Sequence, residues 1–84
     1  MKAVRIHKHG NKDVLVWEEV PLPVVKDGQV LVEIKAAAIN HLDIWVRKGI
    51  PGINLPMIIG SDGAGMVSKI GKGVDKFDVG DEVI

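Results

Sequence analysis

The sequence predicts a mainly β domain with one short helix. Apolar and polar residues alternate with period two over residues 29–36, which is typical of a half-buried strand. Six of the ten glycines lie within residues 60–83, spaced through a second β-like apolar pattern. Helical spacing is found only in residues 40–48. With 84 residues, the chain is long enough for one small domain.

The composition excludes several classes of partner. Eleven basic and eleven acidic residues cancel, so there is no charged surface for nucleic acid or an anionic membrane. The chain has no cysteine, which excludes a disulfide framework and a thiolate metal site. Residues 1–10 are charged rather than an apolar leader, and no apolar run reaches about 18 residues. We therefore expect a cytoplasmic protein that binds neither nucleic acid nor a membrane.

The first twenty residues predict two short strands. Residues 2–7 alternate, residues 10–13 form a turn, and residues 14–17 are an apolar, β-branched run. His7 and His9 would share one face of the first strand. Two imidazoles without a third ligand nearby do not make a metal site, so we interpret both as solvated side chains.

The clearest strand follows a proline-bounded extended segment. In residues 29–36, one face carries Val30, Val32, Ile34 and Ala36, and the other carries mainly charged residues. This pattern predicts a strand with one buried face. Three consecutive alanines at its end would let backbone or a ligand come close.

The only predicted helix lies within residues 40–48. Leu42, Trp45 and Val46 fall at positions i, i+3 and i+4, which gives the helix one apolar face. Asn40 suits the N-cap, Asp43 the third helical position of a capping box, and Gly49 the C-cap. Residues 50–59 contain two prolines and a glycine and predict an irregular connection.

The glycine-rich stretch predicts a strand at residues 62–70, a loop at 71–80 and the start of another strand. Glycines in such a pattern mark backbone with φ > 0 or a close approach of another segment. Residues 60–65 are followed by strand-like sequence and not by a helix, so they do not form a dinucleotide fingerprint. Because the chain stops at Ile84, within this last strand, we expect residues 1–84 to be a truncated domain.

Several ordered motifs resemble one superfamily: Gly60-x-Asp62-x-x-Gly65, Gly71-x-x-Val74, Gly80-Asp81-x-Val83, Ala38 to Asp43, and Arg47-x-Gly49. Together they resemble the amino-terminal signature of the medium-chain dehydrogenase/reductase superfamily, which includes zinc alcohol dehydrogenases and quinone oxidoreductases. The resemblance implies a GroES-like partial β-barrel over residues 1–84. It also implies a Rossmann cofactor domain outside this chain.

The departures from the zinc-dependent pattern indicate the zinc-free branch. Where zinc-dependent members have cysteine, histidine and glutamate, this chain has Asn40, Ser61 and Asp62. An amide and a hydroxyl are poor zinc ligands, so a catalytic zinc is not expected. The pattern instead resembles quinone oxidoreductases, in which NAD(P)H delivers hydride to a quinone or an activated enone.

The resemblance assigns roles to six residues. Asn40 and Asp43 are the expected catalytic residues, with Asn40 donating a hydrogen bond near the substrate. The expected lining of the substrate and cofactor cleft is His41, Arg47, Ser61 and Asp62. Capping of the helix by Asn40 and Asp43 alone is the competing interpretation. The chain by itself is expected to be inactive, and the full-length protein to be a homo-oligomer acting on a small molecule.

Two other functions stay open. The first is a zinc-type alcohol dehydrogenase relative that keeps only a structural zinc, outside this chain. The second is a stand-alone GroES-like domain that binds a partner.

Overall fold

The computed structural model describes all of residues 1–84 and divides into two compact units. Unit 1 comprises Met1–Pro21 and Ile39–Ser61, and unit 2 comprises Leu22–Ala38 and Asp62–Ile84. Each unit contains one three-stranded antiparallel sheet. The predicted mainly β fold with one short α-helix is confirmed. No helix of the protein is both long enough and apolar enough to cross a lipid bilayer.

The sheet of unit 1 has the strand order β2-β1-β4. Its strands are β1 (Lys2–Ile6), β2 (Val16–Glu19) and β4 (Met57–Ile58). The second strand begins two residues later than predicted, because Val14 belongs to a short 3-10 helix, Lys12–Val14. The Asn11 side chain accepts a hydrogen bond from the Asp13 amide at 2.9 Å, and this local cap outweighs the β-propensity of Val14.

The prediction that residues 50–59 are wholly irregular is wrong at one point. Strand β4 pairs antiparallel with β1, with Met57 opposite Ile6 and Ile58 opposite Arg5. A strand of two residues is too short to produce a periodic pattern, so no pattern in the sequence predicts it.

The helix α1 (His41–Lys48) has the predicted boundaries, with Asn40 at the N-cap and Gly49 at the C-cap. Its apolar face is buried only in part. Val46 is 7% exposed, whereas Leu42 is 41% and Trp45 is 54% exposed. The helix therefore contributes one side chain to the core of the chain.

The sheet of unit 2 has the order β3-β5-β6. Its strands are β3 (Val30–Ala38), β5 (Asp62–Ile70) and β6 (Glu82–Val83), and β5 has the predicted boundaries. The β3–β5 pair is closed at one end by the Gly71 amide, which donates to the Gln29 carbonyl at 2.7 Å. Val67, in the middle of β5, is 1% exposed and forms the centre of this unit.

The prediction of a single buried face on β3 is wrong, because Val30, Leu31 and Val32 are all half-buried and the second half of the strand is exposed. Ile34 is 58% exposed, and Ala36 is exposed as well. The pairing of β3 with β5 shifts register between Leu31 and Val32 and again between Ile34 and Ala36. These irregularities do not account for the exposure, because consecutive strand residues point to opposite faces and all of residues 33–38 are exposed. Neither face of this half of β3 is covered, which a period-two count along the sequence cannot predict.

The two histidines predicted to be solvated have different partners. His7 is exposed, but its Nε2 contacts the Glu18 carboxylate, which also accepts from Nε of Arg5. His9 is half-buried, and its Nδ1 is 3.1 Å from the Val46 carbonyl oxygen. The prediction of a solvated side chain is confirmed for His7 and wrong for His9, whose imidazole is half-buried against helix α1.

The Glu18 cluster predicts a loss of stability in acid. The Arg5 hydrogen bond, and after it the His7 hydrogen bond, lower the pKa of Glu18 below its ordinary value of 4.5. Because the folded-state pKa is depressed, the stabilisation is complete above pH 4.5 and disappears as pH falls through the lowered value. We expect E18Q to have a lower free energy of unfolding than the unmodified protein at pH 7. In strong acid the two free energies of unfolding should become equal. Urea unfolding at a series of pH values measures this difference, with E82Q as a control because Glu82 has no ion-pair partner.

Candidate functional site

The start of helix α1 places Asn40 in extended backbone with φ −122° and ψ 159°. Its backbone N–H donates to Oδ2 of Asp43 at 2.8 Å. The Asn40 side chain lies in the position of a capping box but makes no capping hydrogen bond. The Asp43 amide donates instead to the backbone carbonyl oxygen of Asn40, at 3.0 Å. A cap uses only the oxygen of an asparagine side chain, so the two N–H donors of the carboxamide stay available to a ligand.

Asp43 is half-buried and fixes the conformation of the N-cap. Its negative charge lies in the first turn of the helix, where the partial positive charge of the helix N-terminus favours it. Through the bond from the Asn40 amide, Asp43 holds the backbone from which the Asn40 side chain extends. In this geometry Asp43 orients Asn40, which agrees with the predicted capping box.

His41 is exposed and lies in the same turn. Its ring meets Trp45 edge to face, with the ring centroids 5.1 Å apart and the planes at 84°. Such T-shaped pairs are favourable and restrict both side chains. The structure therefore brings three of the predicted site residues, Asn40, His41 and Asp43, together at one end of the helix.

Arg47 lies at the opposite end of the helix. It lies seven positions after Asn40, which corresponds to about 10 Å along the axis. Nε of Arg47 donates to the Gly10 carbonyl at 3.2 Å, and the Gly10 amide donates to the Arg47 carbonyl at 3.0 Å. The side chain is half-buried and directed to this backbone.

Ser61 and Asp62 are adjacent in the chain but belong to different units. Ser61 is the last residue of unit 1, and Asp62 begins strand β5, opposite Ala38 in register. Both are exposed. An amide at Asn40, a hydroxyl at Ser61 and one carboxylate at Asp62 do not suit Zn²⁺, and no three histidine, cysteine or acidic side chains in the chain form a group fit for a metal ion.

Sequence reasoning missed the segment His9–Gly10. It contacts the C-terminal end of helix α1 through backbone and imidazole hydrogen bonds. The partners are 37 residues apart in the chain, and no local pattern connects them. The only available signal was the turn predicted at Gly10.

Comparison with known proteins identifies the class of domain. The model of the alcohol dehydrogenase GroES-like domain matches residues 26–84. The chain belongs to this family, as its motifs and its mainly β fold with one short helix predict.

Individual relatives are oxidoreductases. A quinone oxidoreductase of Salmonella typhimurium is 39% identical over 82 residues, which cover 96% of this chain and 25% of that protein. The crystal structure of Escherichia coli quinone oxidoreductase complexed with NADPH has a TM-score of 0.91 and 36% identity, covering 98% of this chain and 26% of that one. The crystal structure of an NAD-dependent alcohol dehydrogenase has a TM-score of 0.90 and 45% identity, and the match covers 98% of this chain and 24% of that one. The chain thus spans about a quarter of the length of the relatives it matches.

Proposed function

We propose that this chain forms the amino-terminal, substrate-side domain of an NAD(P)H-dependent oxidoreductase that reduces a quinone or an activated enone without a catalytic zinc. The observation that carries the proposal is Asn40, an N-cap residue whose carboxamide N–H groups are not used by the helix. The similarity to quinone oxidoreductases supports the reaction class.

The cofactor, when bound, supplies the hydride. As hydride reaches a conjugated carbonyl compound, negative charge develops on the carbonyl oxygen. The carboxamide of Asn40 can donate a hydrogen bond to that oxygen, and a fixed donor of this kind stabilises the transition state. Asp43 keeps the donor in place by holding the Asn40 backbone amide, so little reorganisation is needed during the reaction.

The chemistry of the side chains at Asn40, Ser61 and Asp62 supports the proposed substrate class, because an amide, a hydroxyl and one carboxylate do not suit Zn²⁺. For a saturated alcohol or a simple ketone, a strong electrophile such as zinc lowers the barrier substantially by polarising the oxygen. A quinone or enone is already activated by conjugation, so positioning and one or two neutral donors suffice. Asn40 and Ser61 provide donors of this kind, and Asp62 would be a supporting polar residue.

The remainder of the protein would hold the cofactor. Strand β5 begins at Asp62, within Gly60–Gly65, so the glycine-rich stretch places no helix N-terminus for a pyrophosphate. We propose that a separate dinucleotide-binding domain contributes most contacts to NAD(P)H, that the full-length protein is a homo-oligomer, and that residues 1–84 alone are inactive.

A second candidate is an alcohol dehydrogenase that keeps only a structural zinc elsewhere in the protein. The 45% identity to an NAD-dependent alcohol dehydrogenase favours it. In that case the full-length protein would reduce NAD when supplied with an alcohol, and a chelator would abolish this activity.

The test is a substrate and cofactor panel on the full-length protein. NADPH and NADH oxidation is followed with 1,4-benzoquinone and with an α,β-unsaturated ketone, each with and without a chelator. We expect turnover that the chelator leaves unchanged, and none by residues 1–84 alone. Chelator-sensitive NAD reduction with alcohols would overturn the proposal in favour of the second candidate.

A further inference from the structure

The C-terminal end of helix α1 is held by a set of hydrogen bonds that we call the Gly10 clamp: Nε of Arg47 to the Gly10 carbonyl, the Gly10 amide to the Arg47 carbonyl, and Nδ1 of His9 to the Val46 carbonyl. Two of them satisfy carbonyl groups of the last helical turn, which have no partner within a helix. The clamp lies entirely within unit 1.

These hydrogen bonds are important for the position of the helix, because few apolar contacts hold it against the rest of unit 1. It has eight residues, too few to be stable alone in water, and only Val46 is buried. The C-cap Gly49 lies close to His9, and a Cβ added there would be 3.2 Å from Cγ of the imidazole. The helix is therefore fixed at its C-terminal end, against residues 9–10.

We propose that Arg47 is a positioning residue which acts through the Gly10 clamp on Asn40, and not a charged residue that binds substrate or cofactor. A short helix moves as a rigid rod, so loosening one end displaces the other. Asn40 extends from the free end, about 10 Å away. A displacement of about 1 Å at a catalytic group can lower the rate about a hundredfold. This inference rests on the proposed role of Asn40 in reduction.

The side chain of glutamine makes a sharp test possible. Its Nε2 stands the same number of bonds from the backbone as Nε of arginine, so R47Q keeps a donor for the Gly10 carbonyl and removes the charge. Methionine has a carbon at that point, so R47M removes both. If Arg47 acts through the clamp, R47Q should have a higher kcat than R47M. If Arg47 acts through its charge, the two variants should have the same kcat.

We expect R47M to lower kcat of the full-length protein in quinone reduction by about tenfold or more, with KM changed by less than about threefold. R47Q should recover most of the lost kcat. The control K48M removes an exposed charge from the same turn and should have no effect. Equal losses in R47Q and R47M, or a rise in KM with kcat unchanged, would overturn the inference.

A second pair covers the possibility that R47M does not fold. Asparagine Nδ2 occupies the place of histidine Nδ1, so H9N keeps the donor to the Val46 carbonyl and H9L removes it. The same order is expected, with H9N above H9L in kcat. Equal kcat values for H9N and H9L would contradict the inference about the clamp.

A structural readout separates the clamp from the proposed function. Nuclear magnetic resonance of the full-length protein reports the side-chain amide of Asn40 directly. We expect its shifts to change in R47M and to stay near the unmodified values in R47Q, whether or not quinones are reduced. If the wild-type protein reduces no quinone but these shifts follow this order, the clamp stands and the proposed function fails. If the chemical shifts of the Asn40 side-chain amide are unchanged in R47M, the inference about the clamp is wrong, whereas the proposed function is not affected.

Discussion

Replacing Gly65 with alanine should destabilise the protein by about 3 kcal/mol or more, at the upper end of overpacking substitutions. Gly65 is buried in strand β5, between β3 and β6. A Cβ there would be 2.0 Å from the Glu33 carbonyl oxygen and 3.0 Å from Cα of Ile34. Both are backbone atoms, so no rotamer change relieves the overlap, and the β3–β5 pairing must move apart.

Gly63, two residues earlier in the same strand, is the matched control. A Cβ at Gly63 would meet Cδ1 of Ile34 at 3.1 Å, the far end of a flexible side chain that can turn away. We expect G63A to cost about 1 kcal/mol or less. Urea unfolding followed by far-ultraviolet circular dichroism compares the two variants. Equal stabilities of G65A and G63A would show that β3 and β5 are not in such close contact.

The glycine-rich stretch illustrates what sequence can and cannot determine. Its spacing predicts that the glycines allow either positive φ or close approach, and both occur: Gly80 has φ 98°, whereas Gly65 touches the Glu33 backbone. Which glycine serves which purpose depends on the register of β3 against β5, a pairing between residues about thirty positions apart. The exposure of Ile34 has another cause, because residues 33–38 are exposed on both faces of β3 and neither face is covered there.

In the candidate site, too, local contacts are predictable from the sequence and long-range contacts are not. Asn40 and Asp43 are three residues apart, and a local capping rule predicts both the helix boundary and the bond between them. The hydrogen bonds between Arg47 and Gly10 join segments 37 residues apart, so no local rule predicts them, and the sequence led only to the expectation of a cleft residue at Arg47. Motif resemblance identifies which residues a family uses, and long-range contacts indicate how each one acts.

Replacing Asn40 with aspartate should lower kcat in the proposed quinone reduction by about a hundred- to a thousandfold, the usual cost of losing one oxyanion donor. Aspartate has the shape of asparagine and is an equally good N-cap, so the helix should keep its stability. It has no N–H groups, however, and its charge opposes the negative charge that develops on the substrate oxygen. The measurement is steady-state kinetics of the full-length protein, with urea unfolding to establish that stability is retained.

The same substitution at Asn11 provides the control. Asn11 also caps a short helix in unit 1, through the bond from the Asp13 amide, but it lies outside the candidate site. N11D should therefore leave kcat unchanged. The comparison distinguishes the two interpretations of Asn40, because a residue that only caps its helix would tolerate aspartate as Asn11 does. If N40D retains the full kcat, Asn40 is a cap and the oxyanion donor must be sought among other residues.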